Sequence, residues 1–389
     1  MTKTLNNLLP KNAYIHVDKI HMKGPCRHMP IGKVYFGHDE DFGYVAAGSR
    51  LTKKQLKKGA DFAYVKSKKI EDDGYAYELE IHCCPPKVLQ KHNIFGHSSL
   101  VAYAYAVFDH VAKAFGLYVD DHDREEWRAG HFWLTEVHLT GNFWCLARDV
   151  IHVIDAIDEN NSEGKHRDLK TCITLGFTGK RRSKYQTATL YYKPAELLTE
   201  WKKLGPFQKM LIEYIQDSIR GEVKYYSMGL KALNLQYGTN WLGADVVTLF
   251  FDALEKYKIK CSIQPLLTAE MLTVLTTAER NVYELWLHGK PVAEQFRSRS
   301  SAHKYIKAVK EKVGIDMAGD RRPESLPTIN VADIYCPANV VPIPDWLFAT
   351  EHYASPKQLD LPRARLKGGI SNAPIVPNSD LDDEEGAFA

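Results

Sequence analysis

Tyr191 and Lys193 stand two residues apart in the run Thr187-Ala-Thr-Leu-Tyr-Tyr-Lys-Pro-Ala-Glu196, whose opening half is rich in strand formers. On a strand, residues two apart share a face, so Thr187, Thr189, Tyr191 and Lys193 point one way and Leu190 and Tyr192 the other. A phenol is a poor nucleophile at its free pKa of about 10, and neighbouring positive charge or a metal is the usual remedy. Lys193 supplies such a charge, and the pair suits attack on a phosphate; the same pattern also suits ordinary strand packing. Three further runs carry potential metal ligands at the same spacing: Glu80 and His82, Glu136 and His138, and Glu222 between Arg220 and Lys224. If these strands are neighbours in one sheet, their carboxylates and imidazoles converge on a hard divalent cation, Mg²⁺ or Mn²⁺, through oxygen and nitrogen. No cysteine stands at a matching position, which disfavours zinc. Glu-x-His alone also describes the polar face of an exposed strand.

The elements that must position these residues are legible in outline. Tyr75 to Ile81 alternates as a strand, and Ser98-Ser-Leu to Phe115 reads as a helix with a serine cap and a stop at Gly116. Phe132 to Phe143 and Thr171 to Lys193 give further strands, the second folding back at Gly179-Lys-Arg-Arg-Ser-Lys184. The cations of that turn, Lys180, Arg181, Arg182 and Lys184, suit either a solvated tip or a grip on a nucleic-acid backbone. Leu211 to Lys224 runs from helix into strand, and Leu242 to Lys256 is a helix with Val246, Phe250 and Leu254 on its core face.

Beyond about residue 265 the pattern becomes helical. Thr276-Thr-Ala-Glu279 is a capping box, Pro291 to Phe296 suits a short second helix, and Ser300 or Ser301 caps a third running to Lys312. The segment has the layout of a helix-turn-helix, and Arg297, Arg299, Lys304 and Lys307 give its last helix a basic face for DNA, although basic amphipathic helices also serve as plain surface. From Arg321 onward prolines accumulate, which implies an extended arm and then a disordered acidic tail. The lysine-dense Lys53-Lys-Gln-Leu-Lys-Lys58 reads as an exposed helix face.

With 389 residues, 44% hydrophobic and 25% charged, the chain is expected to be globular and α+β, in three parts spanning 1–265, 266–320 and 321–389. The net charge of +3 includes five carboxylates between Asp380 and Glu385, so the remainder is more basic and favours a polyanionic partner. No apolar run approaches the roughly 18 residues of a membrane span and no signal-peptide core opens the chain, so the expected compartment is the cytoplasm. Seven cysteines without repeated spacing argue for reduced thiols. A Gly-rich phosphate loop is absent.

Four separated stretches together resemble the replication initiators of filamentous bacteriophages, the gene II and gene X protein family. The longest, Leu79-Glu-Ile-His-Cys-Cys-Pro-Pro-Lys-Val-Leu-Gln-Lys-His-Asn-Ile-Phe-Gly96, is similar to that family's acidic strand followed by Ser-Pro-x-Lys-Val-Leu-Gln and Gly-His-Asn-Val-Phe-Gly. Leu134-Thr-Glu-Val-His-Leu-Thr140 resembles a strand carrying Arg-x-Asp, Thr187 to Leu197 the strand of the nucleophilic tyrosine, and Arg220-Gly-Glu-Val-Lys224 with Leu230-Lys231 and Leu235 the family's Arg-x-Glu-x-Arg strand. Asn339-Val-Val-Pro342 with Asp345-Trp346 is also similar. The chain departs from the pattern at His138, where the family has aspartate, at Glu136 in place of its arginine, and at Lys91 in place of the glycine before His-Asn.

The resemblance implies an antiparallel-sheet nicking domain followed by the small helical module and the tail. It implies site-specific nicking of duplex origin DNA, with Tyr191 keeping the 5′ phosphate, Lys193 assisting, and later resealing of the displaced strand to complete rolling-circle replication. Glu80, His138 and Glu222 are the expected direct ligands of Mg²⁺ or Mn²⁺, with His82 and Glu136 behind them. Implied partners are double-stranded origin DNA, the displaced single strand, and the host helicase, polymerase and single-strand-binding protein, in a bacterial cytoplasm and away from membranes. Two other readings stay open: a DNA-binding replication regulator that does not cut, and a metal-dependent nuclease that uses water and leaves Tyr191 structural.

Overall fold

The computed structural model describes residues 14–31, 33–37, 44–50, 63–161, 164–179, 181–199, 201–257, 266–290, 298–317 and 329–354, with residues 259, 262, 263, 292 and 296 between them. The lysine run at 53–58, the short helix expected over 291–296 and the acidic tail lie outside or almost outside these residues.

One antiparallel sheet dominates. Its strands are β1 (His16–His28), β2 (Lys33–Gly37), β3 (Tyr44–Arg50), β4 (Tyr64–Ile70), β5 (Ala76–Cys83), β6 (Trp133–Trp144), β7 (Lys165–Leu169) and β8 (Cys172–Leu175). A short hairpin, β9 (Phe177–Thr178) and β10 (Arg181–Arg182), precedes β11 (Gln186–Tyr191), and β12 (Ser218–Tyr226) completes the set. The sheet order is β2-β3-β4-β5-β1-β6-β12-β11-β8-β7, so the strands bearing His82, His138, Glu222 and Tyr191 all belong to it.

Strand alternation divides the sheet into two faces. Val17, Ile20 and Met22 of β1, Leu79 and Ile81 of β5, Leu134, Val137 and Leu139 of β6, Val223 of β12 and Leu190 of β11 are buried in the main core. Against them pack α2 (Leu100–Phe115) and α8 (Val246–Glu255), each anchored by large buried residues such as Phe108 and Phe250. Each such side chain contributes about 1.5–3 kcal/mol by leaving water. The helix α2 begins at its serine cap, the Ser99 hydroxyl accepting the Ala102 N–H at 3.3 Å, whereas α8 begins at Val246 rather than at the expected Leu242, because Asp245 caps it by accepting the N–H groups of Val247 and Thr248. Gly116 ends α2 in the left-handed region at φ 64°, where glycine carries no steric penalty.

The opposite face is polar and is closed at one end by a second cluster. Residues 92–95, α6 (Pro206–Tyr214) and residues 341–353 meet there through Ile94, Phe95, Leu211, Ile212, Val341, Ile343 and Leu347. The chain after residue 321, expected to be extended, is over 329–354 packed onto the sheet: Val341 N–H donates to Asn142 O at 2.8 Å, and Val340 bridges to Phe143. Its helices, Val331–Ile334 and Asp345–Phe348, are too short to show periodicity between prolines.

The helical segment has its own core of Leu275, Tyr283, Trp286, Val309 and Ile315, joining α10 (Thr277–Leu287) to α11 (Arg299–Val313). Thr276 and Glu279 form the expected capping box. The last helix starts from Ser298, whose hydroxyl accepts the Ser301 N–H, rather than from Ser300 or Ser301. No disulfide joins the described cysteines, and none of the described helices is long and apolar enough to cross a membrane.

Candidate active site

Cross-strand register lines up the polar face. Lys19 of β1 lies opposite His138 of β6, which lies opposite Lys224 of β12, which lies opposite Thr187 of β11. One step along, Thr140, Glu222 and Thr189 form the next row, and beyond it Asn142, Arg220 and Tyr191 form another. Directly opposed residues in an antiparallel pair present their side chains to the same face about 5 Å apart, so Tyr191 and Arg220 are neighbours by construction.

His138 is the hub. Its Nδ1 donates to Glu222 Oε1 at 2.7 Å and its Nε2 to Glu136 Oε1 at 2.5 Å, so both ring nitrogens face carboxylates. Burial disfavours the imidazolium, but the two carboxylates outweigh burial and raise the His138 pKa above its ordinary value. Burial likewise pushes Glu136 and Glu222 up, and the bonds and charge of His138 more than reverse it: Glu136 is held at about 2 and Glu222 well below the usual carboxylate range. Lys224 Nζ at 3.5 Å from Glu222 and Lys19 Nζ at 3.7 Å from Glu136 complete the charge balance.

The Tyr191 hydroxyl donates to the other oxygen of Glu222 at 3.4 Å. Burial raises the Tyr191 pKa well above 10, while the guanidinium of Arg220 pulls it back down. Lys193 does not extend the strand. β11 ends at Tyr191, and Pro194, which lacks a donor for the next ladder bond, sits in the first turn of α5 (Lys193–Leu198). The Lys193 ammonium nevertheless lies 5.9 Å from the centre of the Tyr191 ring, buried and bonded to Glu196 Oε1 at 2.8 Å. Burial and the nearby charge of Arg220 lower its pKa. Tyr192 faces away, its hydroxyl bonded to Gln216 O at 2.8 Å.

Glu80 and His82 are separated from this hub by β1. Glu80 accepts from His21 Nε2 at 2.8 Å and pairs with Lys68 at 3.5 Å, which together with its other charges holds its pKa at about 2. His82 stacks on His21 with ring centres 4.8 Å apart, and its Nε2 is buried without a hydrogen-bond partner. Burial lowers the His82 pKa to about 4, leaving it a neutral ring with an unused nitrogen. The structure thus brings Glu136, His138, Glu222 and Tyr191 together and leaves Glu80 with His21.

Asp18, Asn93 and Arg220 are essential to the arrangement and escape a reading by spacing. The pairing of β1 with β6 shifts register between Val17 and Lys19, so Asp18 is an extra residue in its strand, and the irregularity re-aims its side chain. Asp18 Oδ1 lies 3.3 Å from Arg220 Nη2 and accepts from Asn93 Nδ2 at 2.9 Å. Arg220 is fully buried, and Asn142 and Arg220 both reach Ile94 O, which ties the 91–96 loop over the polar face. Lys91 opens that loop at φ 69°, the left-handed conformation that glycine adopts freely, so a lysine here keeps the backbone path at a cost of roughly 1–2 kcal/mol. The length of the Leu79–Gly96 match is the one sequence signal that points to Asn93.

Two open cavities meet at this centre. One, of about 420 Å³, is lined by Tyr64, His82, Lys19 and His138; the other, of about 590 Å³, by Tyr191, Tyr192, Lys193 and Thr199. Asp18, Lys87, Asn93, Glu222 and Lys224 line both. The oxygen and nitrogen donors here are of the type that suits a hard divalent cation, and the orphaned His82 nitrogen adds one more. With both nitrogens of His138 engaged on opposite sides, however, no three His, Cys, Asp or Glu side chains among the described residues converge on one point.

The cations expected to meet DNA are dispersed. Arg181, Arg182 and Lys184 are exposed at the β9–β10 hairpin, Arg182 lying over the Tyr226 ring at 4.6 Å; Lys180 is outside the described residues. On α11 Lys304 and Lys307 are exposed, Lys307 pairing with Glu311 at 3.7 Å, whereas Lys310 is taken by Asp316 and Lys312 by Glu279. Arg297 and the side chain of Arg299 fall outside the described residues.

Comparison with known proteins adds independent information. The N-terminal family of the phage replication-associated protein, the gene II product, matches residues 18–244, from the bulged Asp18 through β12 to just before α8. The chain is similar to the replication-associated protein of the same type from Enterobacteria phage I2-2, with 26% identity over 266 residues that cover 65% of this chain and 74% of that protein.

Proposed function

The chain belongs to the gene II family of phage replication-associated proteins, and on that premise we propose that it nicks and reseals one strand of origin DNA through Tyr191. The observation that carries this reading is the contact of the Tyr191 hydroxyl with Glu222 at 3.4 Å beside the buried Arg220, at the junction of two open cavities. Glu222 orients the phenol through its hydrogen bond, and the Arg220 charge favours the tyrosinate that attacks phosphorus as the phenolic proton passes to solvent. Lys87, Lys193 and Lys224 offset the charge of the phosphodiester and of its pentavalent state. The product keeps the 5′ phosphate on Tyr191 and frees a 3′ hydroxyl that primes synthesis. Because the phosphotyrosine conserves the bond's free energy, the reverse attack by a 3′ hydroxyl reseals the strand without ATP.

Glu222 and His138 are the proposed ligands of Mg²⁺ or Mn²⁺, and Glu136, His82 or Asp18 would have to turn toward them to complete the set. When bound, the cation would polarise a non-bridging oxygen of the scissile phosphate. For His138 to take part it must give up the proton it shares with Glu136 and Glu222. The exposed cations of the β9–β10 hairpin and of α11 are proposed to hold duplex DNA, and the displaced single strand and host replication enzymes follow as partners.

The test is metal-dependent relaxation of a supercoiled plasmid carrying the cognate origin. Wild type is expected to nick it and Tyr191→Phe to bind but not cut. Nicking by Tyr191→Phe at the wild-type rate points to a water-using nuclease, and no cutting by wild type points to a binding regulator.

A further inference from the structure

We infer that the nucleotide released as a 3′ hydroxyl lies in the Tyr64 cavity, with its base stacked on the Tyr64 ring. This rests on the nicking reading above and adds to it the side of the cleft taken by the leaving group and a base-binding ring.

The two cavities share a floor of Asp18, Lys87, Asn93, Glu222 and Lys224, and each is within the range of about 300–1,000 Å³ typical of small-ligand clefts. The shared floor carries two lysines and is where a phosphate spanning both cavities rests. The Tyr64 cavity offers an aromatic face beyond the floor. Tyr64 of β4 lies directly opposite His82, which stacks on His21, so a row of rings crosses β4, β5 and β1. Bases stack on such rings with little regard to sequence.

Polarity follows from the geometry of displacement. The bond from the Tyr191 oxygen to phosphorus forms as the bond from phosphorus to the 3′ oxygen breaks in line with it; the tyrosine loses its proton and the departing 3′ oxygen gains one. Tyr191 lines the other cavity and not the Tyr64 cavity. The departing oxygen therefore lies on the far side of the phosphate, toward Tyr64 and His82.

The experiment uses the full chain, Mn²⁺, and a pool of single-stranded DNA with a randomised segment. Wild-type protein first selects a cleaved sequence by covalent capture; that oligonucleotide is then made with an abasic residue immediately 5′ or 3′ of the nick. The 5′ gap should slow wild-type cleavage at least ~5-fold, the lower end of base-on-ring stacking. Tyr64→Ala should lose as much on the intact strand, and the 5′ gap should then cost nothing more, while the 3′ gap changes the variant by the same factor as wild type. Tyr64→Phe should behave as wild type. Should Tyr64→Ala unfold by circular dichroism, Tyr64→Leu replaces it. If the Tyr64 variant's loss multiplies with the 5′ gap, or couples to the 3′ gap, the assignment is overturned while nicking stands. If wild type captures no strand, the nicking reading falls and this inference with it.

Discussion

Removing the carboxylate of Asp18 should leave the fully buried Arg220 without the anion 3.3 Å away. At that separation and an effective dielectric of about 20 the attraction is roughly 5 kcal/mol, and breaking a buried pair from one side typically costs about 3–5 kcal/mol. Asp18→Ala should therefore lower the melting temperature by roughly 5–10 °C, at the small end of shift per kcal/mol because the domain is large. Arg220→Met alone should cost a similar amount, since it strands Asp18. The double variant should recover most of the loss, because two buried charges replaced together by apolar atoms are close to neutral. Burial raises the Asp18 pKa but the Arg220 charge holds it below its unfolded value. The stabilisation it brings is thus present above the unfolded value of about 4 and fades only as pH falls through the lower folded value. Thermal denaturation followed by circular dichroism at pH 7 measures all three variants. The double variant should fold and still fail to nick, because Tyr191 has lost its cation. Additive losses, with the double variant as unstable as the sum of the singles, would refute the coupling.

Other outcomes follow from the same centre. His138→Asp, which places the family's aspartate between Glu136 and Glu222, should retain nicking and shift its preference between Mg²⁺ and Mn²⁺; excess chelator should stop both proteins, and full activity in chelator contradicts the metal site. Because His138 has a raised pKa, the stabilisation of its imidazolium by the two carboxylates is present at low pH and lost as pH rises through that value. Cation binding, which needs the neutral ring, should tighten over the same rise and release protons, as calorimetry in buffers of different ionisation enthalpy would show; pH-independent binding contradicts it. Replacing Arg299, Lys304 and Lys307 together by alanine should weaken duplex binding and lower the slope of log affinity against log salt by about one for each phosphate no longer neutralised; an unchanged slope makes α11 an ordinary solvated helix.

Local signals in the sequence carry well where one residue type has one physical reason to be present. Ser99 and Gly116 bound α2 as expected, Thr276 and Glu279 close their box, and the strands bearing His82, His138, Glu222 and Tyr191 all fall in one sheet. Spacing does not reveal which strands are neighbours. β1 inserts between β5 and β6, so Glu80 meets His21 instead of His138. Alternation also hides irregularity: Asp18 is invisible to a period of two because it is the residue that breaks it. Lys193 shares the cleft with Tyr191 from the first turn of a helix, since Pro194 ends the strand that spacing would have continued. The packing of residues 329–354 depends on partners some two hundred residues earlier, which no local pattern records.

The most direct measurement is identification of the residue that carries DNA. Full-length protein is incubated with Mn²⁺ and an origin oligonucleotide labelled on the 3′ side of the nick, denatured, digested with protease and sequenced by tandem mass spectrometry. A nucleotide linked through its 5′ phosphate to Tyr191 is expected, absent from Tyr191→Phe and present in Tyr192→Phe. A linkage at Tyr192, or efficient nicking with no linked peptide, would contradict the assignment to Tyr191.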